Sequence, residues 1–123
     1  MPASNDILLC AGATECGPIK PVNQDAYLVK RAQTAAGDIA LAVVADGMGG
    51  LQQGEVASGN LVRAFDAWFQ RDLPLAGESL GFSGAAFAHV LKVQWASLLQ
   101  DVNLSLMKYG LHQGIPLGTA CTA

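Results

Sequence analysis

Charge is scarce in this chain. Of its 123 residues only 14% are Asp, Glu, Lys or Arg, 7 basic against 10 acidic, for a formal net charge of -3. The basic residues are scattered and form no cluster, so nucleic acid is not an expected partner. Cysteine is sparse as well. Cys10, Cys16 and Cys121 form no C-x-x-C pair, and an odd number makes a poor disulfide framework. Reduced thiols, and hence a cytoplasmic setting, are expected, with the three cysteines packing as small apolar residues. No apolar run approaches the roughly 18 residues a membrane span requires. The opening MPASNDILLCAGATE carries no basic leader, so neither a signal peptide nor a membrane partner is expected. Internal repeats and low-complexity tracts are missing too.

What remains is largely apolar. Hydrophobic residues make up 51% of the chain, enough to build a packed core rather than a disordered tail. ILLCAGA (7–13) has strand character and breaks at the punctuated loop containing Gly17, Pro18 and Pro21. AYLVKRA (26–32) reads as a second strand, followed by a turn at AAGD. IALAVVA (39–45) is a continuous apolar run and predicts a central strand covered on both faces. From Glu55 the period changes. Ala57, Leu61, Ala64, Phe65, Trp68 and Phe69 recur at three- and four-residue steps, as on an amphipathic helix. RDLPLAGESLGFSG, with Pro74 and several glycines, is expected to break it. Phe87, Leu91, Trp95, Leu98, Val102, Leu106 and Tyr109 then form a second stripe, expected to end at Gly110. GTACTA opens a further strand. Trp68 and Trp95 fall on the apolar stripes and are expected in the core. His89 and His112 read as ordinary helix and loop residues.

The chemistry is concentrated in VADGMGGLQQGEVAS (44–58), where an apolar strand ends in Asp46 and four of the next eight residues are glycine. A hairpin turn would explain an Asp-Gly pair, but a helical pattern follows instead of a strand. A phosphate-cradling loop fails on detail. A dinucleotide fingerprint from Gly47 needs glycine where Gln52 stands, and a P-loop ending at Gly54 needs lysine where Glu55 stands. A divalent cation fits better, because magnesium-type ions take carboxylate and carbonyl oxygens together with waters. Asp46 would supply the carboxylate and Gly47 its backbone carbonyl, with Gly49 and Gly50 keeping the mouth open. Asp25, in Val22-Asn23-Gln24-Asp25, sits at the start of the second strand. If the two strands are neighbours, both carboxylates could meet at one edge of the sheet.

Taken together, four segments resemble the metal-dependent protein phosphatases, the type 2C serine/threonine phosphatases in their bacterial form. The family loop G-x-x-R-x-x-N-[EQ]-D is matched by Gly17 to Asp25, with Lys20 in place of the arginine. V-A-D-G-M-G-G is matched by Val44 to Gly50, and G-E-x-A-S by Gly54, Glu55, Ala57 and Ser58. [ML]-G-T-[TA] is matched by Leu117 to Ala120. The resemblance implies an α+β fold, the N-terminal portion of a four-layer α-β-β-α sandwich with two mainly antiparallel sheets flanked by helices. It implies two Mg2+ or Mn2+ ions, with Asp46 bridging them, the Gly47 carbonyl on one, and Asp25 in the same cluster directly or through water. Asp46 and Asp25 would then be the catalytic residues for attack by a metal-bound hydroxide on phosphoserine or phosphothreonine in a protein substrate. Lys20 would bind the substrate phosphate as a point charge, without the bidentate fork of arginine.

Met48 stands where some relatives carry a proton-donating histidine. Asp38, Asp66, Asp72 and Asp101 match no family ligand. Family domains are roughly twice this length and draw further metal-binding aspartates from their later part. Residues 1–123 are therefore expected to be the N-terminal half of one phosphatase domain, truncated at the start of a strand, and to need the missing half to complete the site. The alternative is a non-catalytic binding or regulatory module, a pseudophosphatase fragment.

Overall fold

The computed structural model describes residues 8–15, 23–49, 53–114 and 117–123. The chain is α+β, with strand β1 (Asp25–Thr34), strand β2 (Gly37–Gly49), helix α1 (Gly54–Leu80), helix α2 (Ala85–Gln113) and strand β3 (Leu117–Thr122). The strands form one antiparallel sheet in the order β1-β2-β3. β1 and β2 are joined by a two-residue turn at Ala35 and Ala36. There the Thr34 hydroxyl donates to the Gly37 carbonyl at 2.7 Å and accepts from the Ala36 N–H. Gly37 has a positive φ of 117°, a value side-chain-bearing residues rarely adopt.

Alternation along β2 divides the sheet into two faces. Leu41, Val43 and Ala45 are buried against α1 and α2, where they join Leu61, Phe65, Trp68, Phe69, Phe87, Val102 and Leu106 in the core. The two tryptophans behave as expected of core anchors. Trp95 meets Phe65 and Trp68 edge-on, with ring centroids 5.2 and 5.5 Å away, and the Trp68 indole N–H donates to Gln94 Oε1 across the helix pair. Lys30 and Asp66 tie β1 to α1 at 3.0 Å. The Lys30 and Gln70 hydrogen bonds hold the Asp66 carboxyl below its ordinary range.

The other face is open, which corrects the expectation that β2 is covered on both sides. Val44 is 61% exposed and Met48 53%, and Ala42 and Asp46 between them are exposed as well. An apolar run in sequence therefore conceals a one-sided strand whose outward positions happen to be small or apolar.

Four further expectations are revised. Residues 8–13 pair with no strand; Ile7 lies outside the described residues. Side chains rather than a ladder fasten this segment. Arg31 donates to the Leu8 carbonyl, the Tyr27 hydroxyl to the Gly12 carbonyl, and the Leu8 N–H to Asp38. Cys10 within it is exposed rather than buried in the core, whereas Cys121 is half-buried against the core; Cys16 lies outside the described residues. α1 does not break at Arg71 but continues through Pro74 to Leu80, because Leu73, Ala76 and Gly77 prolong the buried stripe while Pro74 stays exposed. α2 passes Gly110, which is buried within it, and stops at Gly114, whose left-handed backbone (φ 72°) caps the helix.

Candidate functional site

β2 carries Asp46 past the point where the sequence pattern places a turn. The strand runs on to Gly49, so Asp46 is three residues inside its end and paired on both sides, with Asp25 of β1 and Ala120 of β3. Asp25 opens β1, as expected. The two carboxylates are thus direct cross-strand partners on the open face, and both are exposed.

Hydrogen bonding shows which kind of pair this is. The Asp46 carbonyl points toward β3, where it accepts from the Thr119 hydroxyl at 2.9 Å. The Asp25 N–H points away from β2 and donates to Asn23 Oδ1 at 3.0 Å. The residues therefore exchange no backbone bonds, the arrangement in which opposed side chains stand closest, with Cβ atoms about 4.5–5.5 Å apart. Two like charges so placed repel in water, and a cation between them turns that cost into attraction.

The geometry is fixed by a junction beneath the pair. The Gln24 carbonyl accepts two hydrogen bonds, from the Gly47 N–H at 3.0 Å and from the Ser58 hydroxyl at 2.7 Å. Ser58 is 1% exposed, so the first turns of α1 are bolted to the residue that precedes Asp25. Gly47 belongs to the same junction. A methyl group there would collide with the carbonyl oxygens of Gly54 and Gln24, and one on Gly54 would stand 2.9 Å from the Gly47 carbonyl. Bare backbone at position 47 therefore has a packing cause: three segments meet where a side chain would stand.

The expected site residues are distributed as follows. Asp25 and Asp46 are brought together, and Gly47 lies directly beneath them in the junction. Gly49 ends β2 rather than lining an open turn. Lys20 and Gly50 lie outside the described residues. Among the described residues no group of three or more His, Cys, Asp and Glu gathers, so Glu55 does not join the pair. Burial pushes the Cys121 thiol up, away from the range of a nucleophile. The residues that sequence reasoning left without a role are Gln24, Ser58 and Thr119. All three were visible as motif letters, but Gln24 acts through its main-chain carbonyl, which no side chain announces.

The donor set suits a hard divalent ion. Mg2+-type ions are commonly held by one or two carboxylates, with water and substrate oxygens filling the other positions. Comparison of the chain with protein-family models, with curated proteins and with solved structures finds no match. Among the described residues no helix is long and apolar enough to cross a membrane.

Proposed function

We propose that this chain is the N-terminal part of a metal-dependent serine/threonine protein phosphatase of cytoplasmic location. Its sheet would be one of the two central layers of a four-layer α-β-β-α sandwich. The observation that carries the reading is the direct pairing of Asp25 with Asp46 on the open face, above a junction that fixes both backbones. The open face is where a second sheet would pack, and the carboxylates would then lie in the cleft between the layers.

In this reading Asp25 and Asp46 hold Mg2+ or Mn2+, and the Gly47 carbonyl is a further oxygen donor. A divalent ion so held supplies Lewis-acid charge and lowers the pKa of water for attack on a phosphoserine or phosphothreonine phosphorus. Gln24, Ser58 and Thr119 are positioning residues, holding the main chain of the two aspartates from below. Lys20 steers the substrate phosphate by its charge. The isolated 123 residues carry little or no turnover, because later carboxylates are needed to complete a two-ion centre.

A second reading is a non-catalytic binding or regulatory module, which the exposed Asp25–Asp46 pair would serve by holding an ion without turnover. The test measures Mn2+ binding by calorimetry and phosphopeptide hydrolysis with Mn2+ or chelator, for this chain and for a longer protein containing it. Hydrolysis by the longer protein, lowered more than about a hundredfold by Asp46→Asn, is expected. Manganese-dependent hydrolysis that survives the substitution overturns the assignment. Mn2+ binding without hydrolysis in either protein favours the binding module.

A further inference from the structure

α2 carries two apolar stripes, only one of which is used. Phe87, Val102 and Leu106 are buried, and Leu91, Trp95 and Leu98 pack beside them against the core. On the opposite side Val93 is 55% exposed, Leu104 50%, Met107 53% and Leu111 81%. Only Lys92, Asp101 and Lys108 are charged by Asp, Glu, Lys or Arg side chains in this 29-residue helix, where a solvated outer face would ordinarily carry many.

The outer stripe has a seven-residue repeat. Ala86, Val93, Gln100 and Met107 are spaced by sevens, and Val90, Ser97, Leu104 and Leu111 form the interleaved series four residues later; Val90, at the edge of the stripe, is half-buried and also packs against the core. The alternating three- and four-residue steps are those of a coiled-coil seam, polar only at its middle. The seam is also its own complement. Turned end for end about its midpoint, it sets Ser97 against Gln100, Val93 against Leu104, Val90 against Met107 and Ala86 against Leu111. Every apolar position meets an apolar one, and the two polar residues meet each other as donor and acceptor. The same rotation sets Asp101 level with Ala96, Lys92 with Ser105 and Lys108 with His89, so no carboxylate meets a carboxylate and no lysine a lysine. Antiparallel helix dipoles add to the preference.

We propose that the outer face of α2 is a homodimer interface, in which α2 of a second copy of this chain packs antiparallel about a two-fold axis between Ser97 and Gln100. The interface is independent of the carboxylate pair and of any metal. A single helix pair makes a small contact, so association is concentration-dependent rather than permanent.

Sedimentation velocity across a wide concentration range is expected to show a monomer–dimer equilibrium. Leu104→Glu should weaken it by more than about tenfold while the circular dichroism of the folded chain is retained. Orientation is read by disulfide trapping in a background with Cys10, Cys16 and Cys121 replaced by alanine. Chains carrying Val93→Cys, mixed with chains carrying Leu104→Cys, should oxidise to the mixed dimer. Val93→Cys alone should not, since antiparallel pairing holds the two copies of position 93 about 16 Å apart. A chain that stays monomeric at every concentration, because another segment or another protein covers the stripe, overturns the proposal. So does efficient self-trapping of Val93→Cys, the signature of a parallel pair.

Discussion

Asp25 and Asp46 sit where cross-strand repulsion is greatest, and that gives a sign test of what they are for. In a metal-free solution, Asp46→Asn removes one of two opposed charges and should raise stability by a few tenths of a kcal/mol to about 1 kcal/mol. With excess Mn2+ the order should reverse, because a ligand that binds only the folded state stabilises the wild type and has lost its site in the variant. Urea denaturation with and without Mn2+ measures both. A variant less stable in chelator, or one that gains as much from Mn2+ as the wild type, removes the case for a cation between the two side chains. Gly47 is governed by contact rather than charge. Gly47→Ala drives a methyl into main-chain oxygens that cannot swing aside, and about 3 kcal/mol of destabilisation is expected. Gly59→Ala makes a control, since its methyl would meet only the flexible Arg63 guanidinium, at 3.1 Å, and should gain helix propensity. Similar losses at both positions would mean that the junction beneath the carboxylates is not tight.

At the scale of the element, the sequence spoke most clearly where burial has a period. The stripes from Ala57 to Phe69 and from Phe87 to Tyr109 both became the buried sides of helices, and β1 and β3 begin within a residue or two of where alternation and β-forming residues place them. It misled where local breakers compete with tertiary burial. Pro74 and Gly77 read as a loop, yet Leu73 and Ala76 hold the same buried line and Phe82 packs in the space where a Gly77 side chain would be. Pro74 still costs α1 the hydrogen bond to the Gln70 carbonyl, on a side of the helix open to water. Pro74→Ala should therefore stabilise the chain by about 1–3 kcal/mol, with a matching rise in the denaturation midpoint. A neutral or negative effect would mean that the ring itself supports the packing of α1. The site was legible to a similar degree. Asp25 and Asp46 could be named from their positions near strand ends, but their pairing needed the register. Register follows from the two-residue turn at Ala35 and Ala36, far from either carboxylate.

For the whole molecule, the decisive feature is the order in which chain distance is closed. β1 and β2 form a local hairpin with ten paired positions, while β3 returns only after both helices and pairs at six. Thr119, which holds the Asp46 carbonyl, is 73 residues away from it in sequence. β3 is also a short strand at the edge of the sheet, with Gly118 to Thr122 half-buried or exposed, and segments with few buried contacts are the first to open when a domain unfolds in parts. Amide hydrogen exchange should therefore find β3 opening at lower free energy than the centre of β1 and β2. Thr119→Ala should speed β3 exchange by roughly fivefold, the loss of about 1 kcal/mol from one hydrogen bond, and leave the Val43 and Ala45 amides unchanged. Asp46 would then be steadied from two unequal sides: a durable one through Gln24 and Ser58, and a labile one through Thr119. Uniform exchange across all three strands would instead make the sheet a single cooperative unit, and the hold on Asp46 would be symmetrical.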